Sequence, residues 1–229
     1  MTSALHAEWT KLRTVPAPLW LLLGAIAATV ALSAAVTAVA TCASAVCGGD
    51  PVGLSLAGVQ LGQAPVAVLG VLVIGGEYGT GMITTTLAAT PHRSTVLAAK
   101  AVTLTGAVTV AGTVAVLGSL LAGRLILPEP LPLADGPALR AAAGSIVHLV
   151  LIALLSLGVA AVLRDAATGT GTVLGLLYVF PLLAQVIGDP QWQRLLQRIG
   201  PASAGLGVTA GWAAAALVAA ALLLRIRDA

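Results

Sequence analysis

Charge is nearly absent from six long stretches of this sequence, residues 17–39, 54–76, 99–123, 141–163, 169–187 and 205–224. A bilayer core asks for about 20 consecutive apolar residues per helix, and each stretch meets that length. Lipid leaves such a segment little choice, because its backbone groups have no water to bond and must pair within the helix. Strands of a membrane barrel would alternate apolar and polar residues over shorter runs, and these do not. Only 8% of the residues are charged, against about a quarter in a soluble domain. The expected fold is an all-α integral membrane protein with six transmembrane helices, forming one domain over residues 1–229.

The basic residues fit as topology signals at span ends. With six spans both termini share a side, and if that side is the cytoplasm it receives Lys11, Arg13, Arg93, Lys100, Arg164, Arg225 and Arg227. The other side receives Arg124, Arg140, Arg194 and Arg198. Seven against four has the sign of the positive-inside rule, so both termini are expected inside the cell membrane. A pI near 9.3 does not make a nucleic-acid protein, because the cations are scattered and form no basic face. Cys42 and Cys47 share the first outer loop, where they either pair as a disulfide or stand as two thiols. Too few His or acidic neighbours accompany them for a metal site.

Three segments depart from the simple pattern. In the leader, residues 1–16, Leu5, Trp9 and Leu12 recur at helical spacing with Glu8, Lys11 and Arg13 on other faces, before Pro16 and Pro18. This predicts a short interfacial helix. The first apolar run behind it has full span length, so it is expected to remain a span and not to act as a cleaved signal. In residues 189–200, Asp189 and Pro190 suit a helix start and Gly200 with Pro201 its stop. Trp192, Leu195, Leu196 and Ile199 fall on one face there, and Gln193, Arg194, Gln197 and Arg198 mostly on the other. That predicts a short extracellular amphipathic helix in the outer leaflet.

The third segment is "GGEYGTGMITTTLAATPHR", residues 75–93. Its four glycines are expected to loosen the end of the second span, and "MITTTLAAT" to form a short helix ending at Pro91. Glu77 reads on its own as a water-facing charge at the span end.

Four pieces, "HAEWTKLRT", "GEYGTGMITTTLAATPHRSTVLAAKA", "LRDAATGTGTVLGLLYVFPLL" and "LLLRIRDA", together resemble the six-span permease subunits of type-2 ABC exporters, especially the compact actinobacterial kind. The resemblance implies a permease that pairs with a second copy or a close relative above two separate ATP-binding cassette subunits. The cassettes would hold ATP and magnesium; this chain has no G-x-x-x-x-G-K-[ST] loop and would bind neither. It further implies that the loop at 77–93 carries a cytoplasmic coupling helix and that the leader joins it in contacting the ATPase. The docking residues would then be Glu77, Tyr78, Gly81, Met82, Ile83, Thr84, Leu87, Pro91 and Arg93, with Trp9 and Lys11 from the leader. Gly79 and Thr84 stand where relatives often have basic residues, so docking by shape and hydrogen bonds is expected over docking by salt bridges.

For a pathway, the polar positions within the spans are Thr29, Ser33 and Thr37 on the first, Gln60 and Gln63 on the second, and Tyr178 and Gln185 on the fifth. The threonine and serine stripe also suits helix–helix bonding or bonding back to its own helix. The absence of charge at span centres favours an amphipathic or lipid-like substrate. His148 reads as a neutral histidine bonded to a neighbouring helix. The pair Ser145 and His148 lacks the motif an intramembrane hydrolase needs. An ion-coupled carrier would be expected to show embedded carboxylates and repeats, and a membrane scaffold or immunity component would need no pathway. If Cys42 and Cys47 are bridged, Cys42→Ser changes the mobility of the protein on non-reducing gels; unchanged mobility means two free thiols.

Overall fold

The computed structural model describes residues 2–42, 51–89, 93–127, 136–186, 190–201 and 205–226. Among these every regular element is helical, and six helices are long and apolar enough to cross a membrane. The loop cysteine pair lies outside the residues whose side chains are described.

A leader helix α1 (Thr2–Thr14) stops at Val15, and α2 (Pro16–Cys42) begins at a proline. Pro16 and Pro18 cost little there, because the first N–H groups of a helix have no partner to lose. The second apolar run does not form one helix from residue 54. A short α3 (Pro51–Ser55) and a turn precede α4 (Val59–Thr80). The turn is held by α2: the Gly58 amide donates to Ser33 Oγ at 3.1 Å, and a Cβ on Gly58 would collide with the Thr29 carbonyl.

At its far end α4 runs unbroken past Gly75, Gly76 and Gly79 to Thr80, contrary to the expected loosening. Gly75 lies against Ala166, where an added Cβ would meet its Cα at 3.0 Å. Only Gly81, at φ 73°, ends the helix, with its amide donating to the Tyr78 carbonyl. Gly81 adopts the left-handed conformation that glycine alone takes without strain. The eight-residue α5 (Met82–Ala89) follows.

The third span belongs to α6 (Arg93–Ile126), a 34-residue helix of about 51 Å at 1.5 Å per residue. It therefore extends well beyond hydrocarbon about 30 Å thick. Between α7 (Gly136–Leu163) and α8 (Ala166–Leu174) stand just Arg164, at φ 57°, and Asp165. Asp165 Oδ1 accepts from the Thr168 amide at 2.8 Å and from its hydroxyl at 2.8 Å, capping α8. Those bonds, the backbone one foremost, hold the Asp165 carboxyl below its usual range.

The fifth span is not one α-helix. After α8 comes a π-helical turn, Gly175–Val179, in which the Phe180 amide reaches back to the Gly175 carbonyl, and then α9 (Phe180–Val186). Pro181 explains the position: in α register its ring would press on the Leu177 carbonyl and leave it without a donor. A wider turn just before the proline relieves that clash.

The amphipathic segment forms α10 (Pro190–Ile199), although the side chains of Trp192, Gln193, Gln197 and Arg198 lie outside the described residues. Its end is tied to α11 (Leu206–Ile226), where Trp212 Nε1 donates to the Ile199 carbonyl at 2.8 Å and Thr209 Oγ1 to the Pro201 carbonyl at 2.9 Å.

The second and fourth spans are the most enclosed, 56% buried each against 17% for the first, fifth and sixth, so α4 and α7 form the axis of the bundle. Leu69 and Val71 of α4 and Leu149, Ile152 and Leu157 of α7 are all buried in the apolar core. Gly70 lets α4 approach, since a Cβ there would lie 2.5 Å from the Ala153 carbonyl oxygen; Gly158 does the same for α11 at Ala216, 2.8 Å away. Gly171, Gly175, Gly207 and Gly211 have nothing that close. Gly70→Val and Gly158→Val are each expected to destabilise the protein by about 1–3 kcal/mol through overpacking, whereas Gly171→Val and Gly207→Val leave it within about 0.5 kcal/mol. Thermal unfolding in detergent separates the two sets.

Candidate functional site

Two polar constellations sit in this apolar bundle, one at the end that carries α1 and one within the spans. The first begins with Lys100, eight positions into α6 and only 1% exposed. A lysine so enclosed needs a partner for each of its three protons. Lys100 Nζ donates to Glu8 Oε2 at 2.9 Å, to Glu77 Oε1 at 2.7 Å and to the Val73 carbonyl at 3.0 Å. Lys11 closes the ring from the leader, reaching Glu8 Oε1 at 3.1 Å and Glu77 Oε1 at 2.7 Å.

Two cations and two carboxylates give a formally neutral quartet that joins α1, α4 and α6. Burial pulls the Lys11 ammonium down, but its hydrogen bonds to Glu77 and Glu8 outweigh that and hold it above the ordinary lysine range. Next to the quartet, the Arg164 guanidinium lies 5.7 Å from the centre of the Tyr78 ring, a cation–π distance. The α7–α8 corner is thereby drawn to the end of α4.

Glu77 is therefore not a water-facing charge. It is 7% exposed, as is Glu8, and its carboxylate faces into the bundle. Trp9, 52% exposed, and Met82, 47% exposed, point outward, whereas Ile83 packs inward. Thr84 and Thr85 are exposed, but their hydroxyls donate to the Gly81 and Met82 carbonyls at 2.8 Å. The outward face of α5 thus offers methyl groups and a thioether. The side chains of Leu87 and Arg93, and all of Pro91, lie outside the described residues.

The second constellation gathers Gln60, Gln63 and Tyr178 and adds His148. Gln63 is buried; its Oε1 lies 3.1 Å from His148 Nε2 and its Nε2 donates to Gln60 Oε1 at 3.4 Å. The first contact ties α7 to α4 through the His148 ring and the Gln63 amide. The Tyr178 hydroxyl donates to the backbone carbonyl of Gln60 at 2.9 Å, with Leu61 O at 3.4 Å.

Thr29, Ser33 and Thr37 stand apart from that group. All three are buried, and Thr29 and Thr37 bond back to the Ala25 and Ser33 carbonyls at 2.7 and 2.8 Å. Thr29 and Ser33 face α4, where Gly58 and Gly62 make room for them. The Gln185 side chain lies outside the described residues. Among the described residues no three of His, Cys, Asp and Glu converge as metal ligands would.

Sequence reasoning passed over Glu8 and Lys100. Each looks like an ordinary charge at a span end, and 92 positions separate them. The usable signal was that Glu8, Lys11, Glu77 and Lys100 all lie in or beside segments expected on one side of the membrane. Comparison with models of protein families, with characterised proteins and with solved structures found no match to this chain.

Truncating one member leaves the opposite charges buried and unpaired, which costs about 3–5 kcal/mol. Lys100→Met is expected to destabilise on that scale. Adding Glu77→Gln to it should cost less than the two single changes summed, because the charge left behind is removed as well. Melting of the four proteins in detergent gives the coupling, and strict additivity would mean that the quartet is not formed.

Proposed function

We propose that this chain is the membrane-spanning permease subunit of an ATP-driven exporter of the type-2 ABC kind, with ATP hydrolysis on a separate cassette subunit. The observation that carries the reading is the convergence at one end of the bundle. The leader α1 and the short helix α5, the two elements that the resemblance assigns to motor contact, both connect to the same ion quartet. Lys11 brings in α1, while Glu77 lies on α4 just before the Gly81 corner that starts α5. A push on either helix is delivered to α4 and α6 through Glu77 and Lys100.

On this reading that end faces the cytoplasm, and two cassettes sit beneath a pair of such permeases. Their closure rocks the bundles as rigid bodies between inward-open and outward-open states. The cassette is gripped by the exposed face of α5, with Met82, Thr84 and Thr85, and by Trp9 of the leader, mostly through shape and apolar contact. Gln60, Gln63 and Tyr178 offer hydrogen bonds to the head of an amphipathic substrate passing through otherwise apolar spans. Glu77 acts one step behind the docking surface, as the residue that ties it to the bundle.

The test is purification of the tagged chain in mild detergent, with mass spectrometry of what co-elutes. An ATPase with a phosphate-binding loop is expected with the unaltered chain. It is expected to be lost from Met82→Glu/Thr85→Glu, while the melting temperature of the permease stays unchanged because both side chains are exposed. A stable oligomer that brings down no ATPase in any detergent overturns the exporter reading in favour of a non-transporting scaffold.

A further inference from the structure

Between the fifth span and α11 lies an apolar cleft of about 560 Å³. Thr172, Val179 and Leu183 line it from the fifth span, and Trp212 and Ala215 from α11. Leu155 and Val159 form its floor; they belong to α7, the helix that packs against both α8 and α11. Val179 and Leu183 are more than half exposed, so the cleft opens sideways, at a depth where the spans face hydrocarbon.

The width of the cleft selects its occupant. Its wall from Thr172 to Leu183 is about 17 Å long at 1.5 Å per residue. Spread over that length, the volume gives a cross-section of about 33 Å², a passage about 6–7 Å wide. A helix with its side chains is about 10–12 Å across, so one from a second copy would rest on the rims and leave Leu155 and Val159 uncovered. A hydrocarbon chain, whose carbons pack about 4 Å from their neighbours, reaches the floor. There it touches three surfaces, where a chain on a flat helix face touches one. In a bilayer, packing of this kind decides what stays, because there is no hydrophobic driving force between apolar groups already in lipid.

At the end away from the ion quartet, α10 bridges the two walls. It packs on α9, and Trp212, which lines the cleft, donates from Nε1 to the Ile199 carbonyl at 2.8 Å. Arg194 lies between those two anchorages and is exposed. No residue of α10 is acidic, and among the described residues no carboxylate pairs with Arg194. A cation at the interface beside an apolar slot matches an amphiphile with an anionic head and a long tail.

We infer that the cleft is a binding site for one anionic membrane phospholipid, with an acyl chain lying along α7 between the fifth span and α11 and the phosphate at Arg194. The lipid comes from the leaflet in which α10 lies. Its chain supports the π turn Gly175–Val179 from the side, where Gly175 lines the cleft and has no other neighbour within 4 Å of the place its Cβ would take. The site stands apart from the exporter reading, since no ATPase and no transport enter it.

The experiment reads the quenching of Trp212 fluorescence by phospholipids brominated on their acyl chains. The full chain, with Trp9→Phe, Trp20→Phe and Trp192→Phe, is placed in phosphatidylcholine vesicles. Brominated phosphatidylglycerol is expected to quench saturably at low mole fraction, with about fivefold preference over brominated phosphatidylcholine, the preference that one arginine gives an anionic head. Arg194→Gln, at an exposed position, should bring the two lipids level. Thr172→Phe fills the cleft from its exposed wall and should lower the limiting quenching by shutting the chain out; if it does not fold, Ala215→Phe fills the cleft from the other wall. Equal and unsaturating quenching by both lipids means ordinary bilayer contact and overturns the site. A preference that survives Arg194→Gln, or limiting quenching unchanged by the filled cleft, overturns it as well. If neither lipid quenches Trp212, a second copy of the chain covers the cleft and the proposal is wrong.

Discussion

Hydrocarbon penalises any backbone hydrogen-bonding group left without a partner, and much of what is specific in this bundle answers that constraint. Where α3 breaks from α4, Ser33 on another span receives the free Gly58 amide. Where Pro65 strips a carbonyl of its donor, Tyr178 arrives from the fifth span. Where α7 turns into α8, Asp165 caps the new helix. Lys100 is the extreme case, with three acceptors for three protons. Each repair joins or defines two elements, so polar satisfaction fixes how the helices register where apolar packing alone would let them slide.

The quartet differs from the other repairs in carrying full charges. A buried ion pair is weak support for stability, because desolvation consumes much of the Coulomb gain. Its effect here is better seen as placement. The leader α1 has its own charged residues and would lie acceptably at a membrane surface anywhere nearby. Glu8 and Lys11 hold it at one spot because, beyond their own mutual pair, Lys100 and Glu77 have no other partners of opposite charge at bonding distance among the described residues.

The long-range plan was legible in the sequence because hydrophobic length is a property of consecutive residues. All six spans appear as helices of spanning length, and α1, α5 and α10 lie where local periodicity and capping residues put them. The errors came where a partner distant in sequence decides the outcome. Glycines 75, 76 and 79 promise a frayed end, yet α7, α8 and the quartet keep α4 helical to Thr80. Glu77 reads as solvated until Lys100, 23 positions away, is seen to face it. Of the pathway residues, spacing alone could not tell that Gln60, Gln63 and Tyr178 meet while Thr29 and Ser33 are taken up by the contact of α2 with α4. The π turn was half visible, since Pro181 inside an apolar run demands some local adjustment but does not name which.

Both polar constellations are built on α4. Glu77 and Gln60 stand 17 positions apart on one helix with no break between them, about 25 Å along its axis at 1.5 Å per residue. Such a rod transmits a displacement with little loss, but transmission alone does not switch anything. Coupling between distant sites needs an element with two discrete arrangements that both sites can bias. Within the bundle, α4 and α7 are too closely interlocked at Gly70 to serve. The fifth span is among the least buried, carries a π turn between two α-helical stretches, and is fastened to α4 at Tyr178. A shift of α4 set by the quartet changes the distance from the Gln60 carbonyl to that hydroxyl, and a hydrogen bond weakens steeply with distance and angle. The bond from Tyr178 to the Gln60 carbonyl is thus where a displacement of α4 begun at the quartet reaches the fifth span.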